Sequence, residues 1–348
     1  MEQPIIECVP NISEGRDKSI IDKIVNSIEQ SAECSVLGVE PDADYNRTVI
    51  TIAGTPHKVY QAAYQLIKSS IELIDMSAHE GEHPRLGVVD VCPFIPLRDY
   101  TMSQCADLAR KLAQQVANDF GVCTFLYGYA AAKPDRKLLS TLRKGEYEGL
   151  QSRLDGTDTI HNESTKLPDF GPAVWGSNPK KSGGITIGAR DILVAYNVNV
   201  DEKDAKIAKI IGSIVRGSGR LIKNDDGGKL RVRGMIQEIQ GMGVTLESHG
   251  ISQVSMNILD VMKCPIHKAY EICRSIANDH STQLVGSELV GLVPLSAMLE
   301  AGSWYCEVPD ATEEELVNSA INGLGLSNLE PFEPKKRIIE WALKGDYQ

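Results

Sequence analysis

The sequence predicts an α+β protein, an α/β sandwich of two ferredoxin-like β-α-β-β-α-β subdomains packed through their sheets. Apolar residues alternate between strand-like and helix-like spacing along the chain. This alternation follows the same order in both halves, and the 348 residues are enough for two cores. Packing the open faces of two such sheets would bury both and leave a crevice, where ligand sites tend to lie.

The first half begins with a predicted strand at Ile5–Val9 and continues with alternating helices and strands. The later strands of this half are predicted at Ser35–Val39, Thr48–Ala53, Val88–Ile95 and Val122–Tyr127. Three amphipathic helices separate them, with apolar faces formed by Ile20, Ile21, Ile24, Val25 and Ile28, by Val59, Ala62, Ala63, Leu66, Ile67, Ile71 and Ile74, and by Cys105, Leu108, Leu112 and Val116.

The second half repeats this order without visible sequence identity to the first. Val194, Tyr196, Val198 and Val200 alternate with small or polar residues, which predicts a half-buried strand over Ile192–Val200. Further strands are predicted at about 231–239 and 251–260 and at Gln283–Val290. Helix faces are predicted from Ile207, Ile210, Ile211 and Ile214, from Ile266, Ala269, Ile272, Cys273 and Ile276, and over Arg337–Leu343 at the end.

The predicted boundary between the subdomains lies near residue 190, which gives an N-terminal subdomain at 1–190 and a C-terminal one at 191–340. Gly145–Gly188, just before the boundary, is rich in Gly, Pro, Ser, Asn and charge and has little periodicity. A long stretch without regular elements is unusual inside a compact domain and is often functional. We therefore expect ligand contacts from this region.

Composition restricts the class of protein. Hydrophobic residues make up 42% and charged residues 24% of the chain, as in ordinary globular proteins. The net charge of −11 and the lack of a basic stripe argue against a nucleic-acid partner. The start, MEQPIIECVP, does not resemble a signal peptide, and the chain has no apolar run long enough for a membrane span. We expect a cytoplasmic protein that does not bind membranes.

The cysteines predict a reducing compartment and no metal site. Eight cysteines are scattered along the chain without a C-x-x-C pair. Most lie inside apolar strand or helix patterns, where a free thiol packs as a small hydrophobe. The positions are Cys8, Cys34, Cys92, Cys105, Cys123, Cys264, Cys273 and Cys306.

Side chains suited to proton transfer and anion binding are most concentrated in His79–Pro96, which reads HEGEHPRLGVVDVCPFIP. Its first five residues satisfy H-E-x-x-H, the pattern of zinc hydrolases. That pattern needs both histidines on one helical face, whereas Pro84 disfavours helix at His83 and Gly81 weakens it further. Three interpretations stay open: a zinc site, a surface loop, and a loop histidine that acts as acid or base.

Motifs over nearly the whole chain resemble those of the glutamate formiminotransferases. The specific segments are Glu7–Gly15 (ECVPNISEG), Asn46–Val49, Ile74–Pro96, Leu126–Gly128, Gly145–Glu148, Pro168–Pro172, Gly188–Arg190 and Gly286–Leu295. The resemblance implies two subdomains with a folate-binding tunnel between them, tetrahydrofolate as co-substrate, no metal, and a homodimer. It also implies transfer of the formimino group from N-formimino-L-glutamate to tetrahydrofolate, in histidine degradation.

The resemblance assigns His83 as the catalytic general acid/base and places the folate-binding loop at 171–183. In that loop Trp175 offers a flat face to an aromatic ring, and two lysines could meet the glutamate tail of the folate. The loop residues are Gly171, Pro172, Ala173, Val174, Trp175, Gly176, Ser177, Asn178, Pro179, Lys180, Lys181, Ser182 and Gly183.

The carboxylates of the donor require cations. Arg85, Arg47 and Arg190 are the predicted ones, in that order, because arginine holds a carboxylate with two parallel hydrogen bonds. Two interpretations of the acidic stretch before Asn46 stay open: Glu40 or Asp44 orients His83, or the stretch is a turn with solvated acids.

Three other functions stay open: transfer from N-formylglutamate or formiminoglycine at the same site, a zinc hydrolase, and a folate-binding module without catalysis. In animals the formiminotransferase is fused to a cyclodeaminase. For this protein we expect no second catalytic domain, and we expect a separate protein to provide that step.

Overall fold

Strands and helices alternate along the chain in the computed structural model, which confirms the α+β class. The structure describes residues 3–32, 34–43, 45–81, 84–223, 226–246 and 249–345. By its internal contacts the chain divides into two units, Met1–Asp191 and Ile192–Gln348. No helix among the described residues is long and apolar enough to cross a membrane.

The strands are β1 (Ile5–Cys8), β2 (Asn11–Ile12), β3 (Ser35–Asp42), β4 (Arg47–Gly54), β5 (Val89–Arg98), β6 (Cys123–Gly128), β7 (Gly184–Ala189), β8 (Val194–Val200), β9 (Arg220–Lys223), β10 (Lys229–Val232), β11 (Ile239–Leu246), β12 (Ile251–Ile258) and β13 (Leu284–Val290). The helices of the first unit are α1 (Lys18–Ala32), α2 (Pro56–Leu73), α3 (Met102–Phe120), α4 (Leu139–Leu142), α5 (Leu150–Leu154) and α6 (Ser177–Ser182). Those of the second unit are α7 (Lys206–Val215), α8 (Ile266–Asp279), α9 (Leu295–Tyr305), α10 (Glu313–Leu324), α11 (Pro334–Arg337) and α12 (Ile339–Gly345). Short 3-10 turns occur at Met76–Ala78 and Pro134–Arg136.

The sheet of the first unit places β1 and β2 between β4 and β5, all antiparallel, with β3 outside β4. Cys8 pairs with Ile52 on one side and with Phe94 on the other. Beyond β5 the sheet continues with β7 and then β6, and both of these pairings are parallel. Sequence reasoning did not predict β7, because all six of its residues are buried and a strand buried on both faces shows no alternation.

One face of this sheet carries the main core. Buried side chains of α1, α2 and α3 pack on strand residues such as Ile6, Ile50, Ile52 and Phe94. Because successive side chains in a strand point to opposite faces, Arg47, Val49 and Thr51 of β4 face away from these helices. A smaller cluster, which includes Phe125 and Leu142, covers β6 on that second face.

The second unit has a four-stranded antiparallel sheet in the order β11-β12-β8-β13. The first strand of this unit, β8, therefore lies between β12 and β13. In the first unit β1 likewise lies between two later strands, β4 and β5. Val194, Tyr196, Val198 and Val200 point into the helical core, which confirms the alternation seen in the sequence. The Tyr196 hydroxyl donates to Ser287 at 2.9 Å, so the buried phenol keeps a hydrogen bond.

The strand predicted at about 231–239 is wrong for most of its length. Residues 233–238 form no strand, and the core strand β11 begins only at Ile239. Residues 231 and 232 belong to a separate hairpin, in which all residues of β9 and β10 are exposed. The alternation of Leu230 and Val232 with charged residues is that of a hairpin outside the core, which the sequence pattern cannot distinguish from a core strand.

Candidate functional site

Asn46 joins three of the motifs singled out in the sequence. Its side-chain oxygen accepts a hydrogen bond from Gly15 N at 2.9 Å, and its side-chain nitrogen donates to Glu80 O at 2.8 Å. Its own carbonyl accepts from His79 Nε2 at 3.0 Å. Asn46 is buried, so these bonds satisfy polar groups that water does not reach. The segment around His79 is thus held against both the N-terminal motif and the start of β4.

The backbone at this junction leaves room only for glycine at two positions. A Cβ on Gly15 would lie 2.1 Å from Asp42 O, and a Cβ on Gly81 would lie 2.5 Å from Tyr45 O. Asn46 itself has φ 48°, a left-handed conformation that asparagine tolerates better than most residues. Close backbone approach therefore explains why these residue types occur at these positions.

His79 is a neutral hydrogen-bond acceptor for Arg85. Its Nε2 must carry the proton, because that nitrogen faces the carbonyl of Asn46. Its Nδ1 is then free to accept from Arg85 Nε at 3.2 Å. Burial is the main cause of a lowered pKa at His79, and the nearby charge of Arg85 lowers the pKa further, against an opposing hydrogen bond to Asn46.

The guanidinium of Arg85 uses all five of its N–H donors. Besides the bond to His79 Nδ1, it contacts His79 O at 3.3 Å and Glu146 Oε2 at 3.2 Å. It holds the carboxylate of Glu148 with two bonds, Nη1 to Oε2 at 2.9 Å and Nη2 to Oε1 at 2.6 Å. Arg85 is buried, and such a bidentate pair is the strong geometry for arginine and carboxylate.

These groups border a pocket of about 620 Å³, a size typical of small-ligand sites. Two arginines and three glutamates give the pocket mixed charge. The described residues that line it are Arg16, His79, Glu80, Gly81, Arg85, Gly145, Glu146 and Glu148. His83, the predicted catalytic residue, and Asp44, its alternative partner, lie outside the described residues, although Gly81 and Arg85 on either side of His83 both line the pocket.

Tyr147 connects this pocket to the predicted folate-binding loop. Its backbone nitrogen donates to Arg85 O at 2.9 Å, and its hydroxyl donates to Lys180 O at 2.5 Å. Its ring packs on Trp175, with 6.3 Å between ring centroids. Because Glu146 and Glu148 flank Tyr147, one short segment contacts both the buried arginine and the loop.

The 171–183 loop is held to the first unit at several points. Its second part forms α6, where Ser182 Oγ donates to Asn178 O at 2.7 Å. Asn178 Nδ2 donates to Phe120 O at 3.1 Å, and Lys181 Nζ donates to Glu72 O at 3.3 Å. In the first part of the loop Ala173 and Val174 are exposed, Val174 to 67%, whereas Trp175 is half-buried.

The other predicted site residues do not line this pocket. Glu40 pairs with Val49 and Arg47 with Asp42 across the β3–β4 ladder, on the face away from α1–α3. Arg190 directly follows β7, and its Nη1 donates to Asp191 O at 2.9 Å. Burial lowers the pKa of Arg47, partly offset by the negative charges of Asp90 and Asp42.

Sequence reasoning missed four residues of the pocket in these roles: Arg16, His79, Glu146 and Glu148. The two glutamates lie in the GEYE motif, and Arg16 directly follows ECVPNISEG. These sequence motifs could therefore have pointed to the three residues. Among the described residues, no three His, Cys, Asp or Glu side chains cluster so that they could hold a metal ion.

The neutral state of His79 predicts a pH effect on stability. Its lowered pKa means that, below about pH 6.5, the unfolded chain binds a proton that the folded chain does not. The free energy of unfolding should therefore fall as the pH drops from 7.5 to 5.5. A His79→Gln variant should lose this part of the slope, which is at most about 1.4 kcal/mol per pH unit.

Urea unfolding at several pH values measures this slope. Trp175 is the tryptophan of the first unit, so its fluorescence, with Trp304 and Trp341 replaced by phenylalanine, follows that unit. His57→Gln, at an exposed position of α2, is the matched control. Equal slopes for the wild type and His79→Gln would contradict the assignment of His79 as a neutral acceptor.

Comparison with known proteins agrees with the motif pattern along the whole chain. The family model described as "Formiminotransferase domain, N-terminal subdomain" matches residues 5–190, and "Formiminotransferase domain" matches residues 195–344. A protein named glutamate formimidoyltransferase from Streptococcus pyogenes serotype M1 is 35% identical over 307 residues, covering 88% of this chain and 94% of that protein. One of the same name from Thermoplasma acidophilum is 38% identical over 304 residues, covering 87% and 93%.

The names of longer relatives include a second activity, that of a cyclodeaminase. The mouse protein named formimidoyltransferase-cyclodeaminase is 39% identical over 343 residues, which is 97% of this chain. The match spans only 60% of the mouse protein's length.

Proposed function

The chain belongs to the formiminotransferase domain family, and from this we propose that it is a glutamate formimidoyltransferase. The observation that carries the proposal is the match over both family regions, together with the 93–94% coverage of the stand-alone relatives that bear this name. The reaction would move the formimino group of N-formimino-L-glutamate to tetrahydrofolate. The products would be 5-formiminotetrahydrofolate and L-glutamate.

The chemistry requires proton transfer at two nitrogens. The secondary amine of the reduced pterin attacks the carbon of the protonated formimino group. The tetrahedral intermediate then carries the pterin nitrogen, the former imino nitrogen as an amine, and the glutamate nitrogen, and it collapses by expelling the glutamate nitrogen. One group must take the proton from the attacking nitrogen and return a proton to the glutamate nitrogen as it leaves. We assign this role to His83 by its motif, because a neutral imidazole exchanges protons near physiological pH.

Holding both substrates in one orientation would supply much of the remaining rate enhancement. For the folate we retain the segment from Gly171 to Gly183. Trp175 offers its indole to the flat ring system of the folate, and the exposed Lys180 and Lys181 can meet its glutamate carboxylates. An aromatic side chain and two cations in one segment match the flat ring system and the anionic tail of a folate.

For the donor, Arg85 remains the first candidate, since it is a buried arginine that already holds a carboxylate beside the pocket. Arg47 and Arg190 remain secondary candidates. Glu40 remains the candidate for orienting His83, and it lies on the same face of the sheet as Arg47.

We also retain the finer structural and cellular predictions as proposals. The shared strand order of the two sheets supports a ferredoxin-like core in each unit. The tunnel between the subdomains, the homodimer, the cytoplasmic location, the place in histidine degradation and the separate cyclodeaminase stay predictions.

A transfer assay tests the proposal. Purified protein is mixed with tetrahydrofolate and either N-formimino-L-glutamate or N-formyl-L-glutamate, and the one-carbon product is measured. We expect turnover of the formimino donor, unchanged after dialysis against a chelator. Preference for the formyl donor would mean that N-formyl-L-glutamate is the substrate instead. Loss of turnover when the chelator removes a metal would favour a zinc enzyme.

A further inference from the structure

The ion pair between Arg85 and Glu148 is asymmetric in its exposure to solvent. The side chain of Arg85 is 9% exposed, whereas that of Glu148 is 63% exposed. His79 fixes the guanidinium from the buried side through Nε and Nη2. The carboxylate of Glu148 therefore covers the outer edge of a fixed, buried cation.

Such a carboxylate is easily exchanged for another. A solvent-exposed partner gains little net free energy from an ion pair, because leaving it returns the carboxylate to water. The buried guanidinium, in contrast, requires an anion. Partial burial raises the pKa of Glu148, but the hydrogen bond and the positive charge of Arg85, together with a backbone hydrogen bond, lower it by more, so Glu148 is ionised at neutral pH.

A second arginine borders the same pocket. Arg16 is exposed, and its Nε donates to Ala43 O at 2.8 Å. Its terminal nitrogens make no hydrogen bond with the residues that the structure describes, so they are available to an anion in the pocket. Two arginines on one pocket match a ligand with two carboxylates.

We propose that Glu148 holds the place on Arg85 that a carboxylate of the glutamate-type donor takes when it binds, while Arg16 receives the second carboxylate. This inference rests on the proposed function for the class of donor. Glu148 must then move into solvent, because three carboxylates would otherwise crowd one guanidinium. Since Tyr147 precedes Glu148 and packs on Trp175, this movement would reach the 171–183 loop.

Binding of L-glutamate, followed by Trp175 fluorescence, tests the exchange without turnover. The chain carries Trp304→Phe and Trp341→Phe, so that Trp175 gives the signal. We expect saturable quenching or enhancement by L-glutamate. Glu148→Gln should lower the half-saturating concentration about 3- to 10-fold, because an uncharged amide competes poorly with a carboxylate for arginine. Arg85→Lys, which has no bidentate fork, should raise it by about 10-fold or more.

Glu80→Gln is the matched control. Glu80 also lines the pocket, but its side chain makes no hydrogen bond with Arg85. If Glu80→Gln lowers the half-saturating concentration of L-glutamate as much as Glu148→Gln does, the cause is general repulsion between the pocket glutamates and the ligand. That result would overturn the exchange. An increase for Glu148→Gln, the sign of a group that only positions Arg85, would overturn it as well.

The two proposals fail in different ways. If the chain transfers the formimino group and Glu148→Gln leaves the half-saturating concentration unchanged, the function stands and the exchange is wrong. If L-glutamate binds, and more tightly in Glu148→Gln, but no transfer occurs, the exchange stands and the proposed reaction is wrong.

Discussion

Replacing His83 by alanine is expected to lower the rate of formimino transfer by about 10²- to 10⁴-fold, the usual contribution of a general acid/base. The loss should fall on kcat, because the proposed role is proton transfer and not substrate binding. Steady-state kinetics with both substrates varied, on protein with an unchanged circular dichroism spectrum, measures the effect.

His57→Ala is the control for this substitution, since it removes an exposed histidine of α2, outside the pocket. Its rate should stay within about two-fold of the wild type, as surface substitutions away from a site usually do little. Wild-type turnover in His83→Ala would mean that another group carries the proton. A change in KM alone would make His83 a binding residue.

Replacing Arg153 by methionine is expected to destabilise the first unit by about 3–5 kcal/mol, because each buried polar group left without a hydrogen bond costs about 1–3 kcal/mol. Arg153 is 1% exposed and donates to Lys166 O at 2.6 Å, Leu142 O at 2.7 Å and Thr165 O at 2.5 Å. Its guanidinium carbon also lies 4.3 Å from the ring centroid of Phe125, a cation–π contact that methionine would lose. Methionine would leave three carbonyl groups without these donors.

Urea unfolding followed by Trp175 fluorescence measures this loss. Arg110→Met is the matched control, because Arg110 also donates to two carbonyls, Ala130 O and Tyr129 O, but its side chain is 42% exposed. Water can replace those bonds, so we expect a loss of about 1 kcal/mol or less. Equal losses for the two variants would show that burial of Arg153 is not the cause.

Burial also lowers the pKa of Arg153 to about 10, with Arg136 adding to the effect. Arg136 donates to Ser164 O and Leu167 O and pairs with Asp169. These two arginines therefore hold the long irregular stretch before the 171–183 loop in place. Low periodicity in the sequence marks this stretch as irregular, but it does not reveal that buried arginines organise it.

The candidate site could be predicted from the sequence as a set of residue types but not as a set of contacts. The motif around His79 was evident, and Arg85 was predicted to hold a carboxylate of the donor. Its actual partner, Glu148, lies 63 residues further along the chain. Local spacing carries no information about such a pairing, so the sequence could not show that the arginine is already engaged.

The sequence by itself determined the alternation of strands and helices, the core-facing side of each amphipathic element and the motifs that identify the family. Tertiary structure alone decided that β7 inserts between β5 and β6, that residues 231 and 232 belong to an exposed hairpin, and that His79 stays neutral. The physical reason is the separation along the chain of the groups that interact. Periodicity reports burial within one element, whereas strand partners, ion pairs and pKa values depend on groups that are distant in the chain.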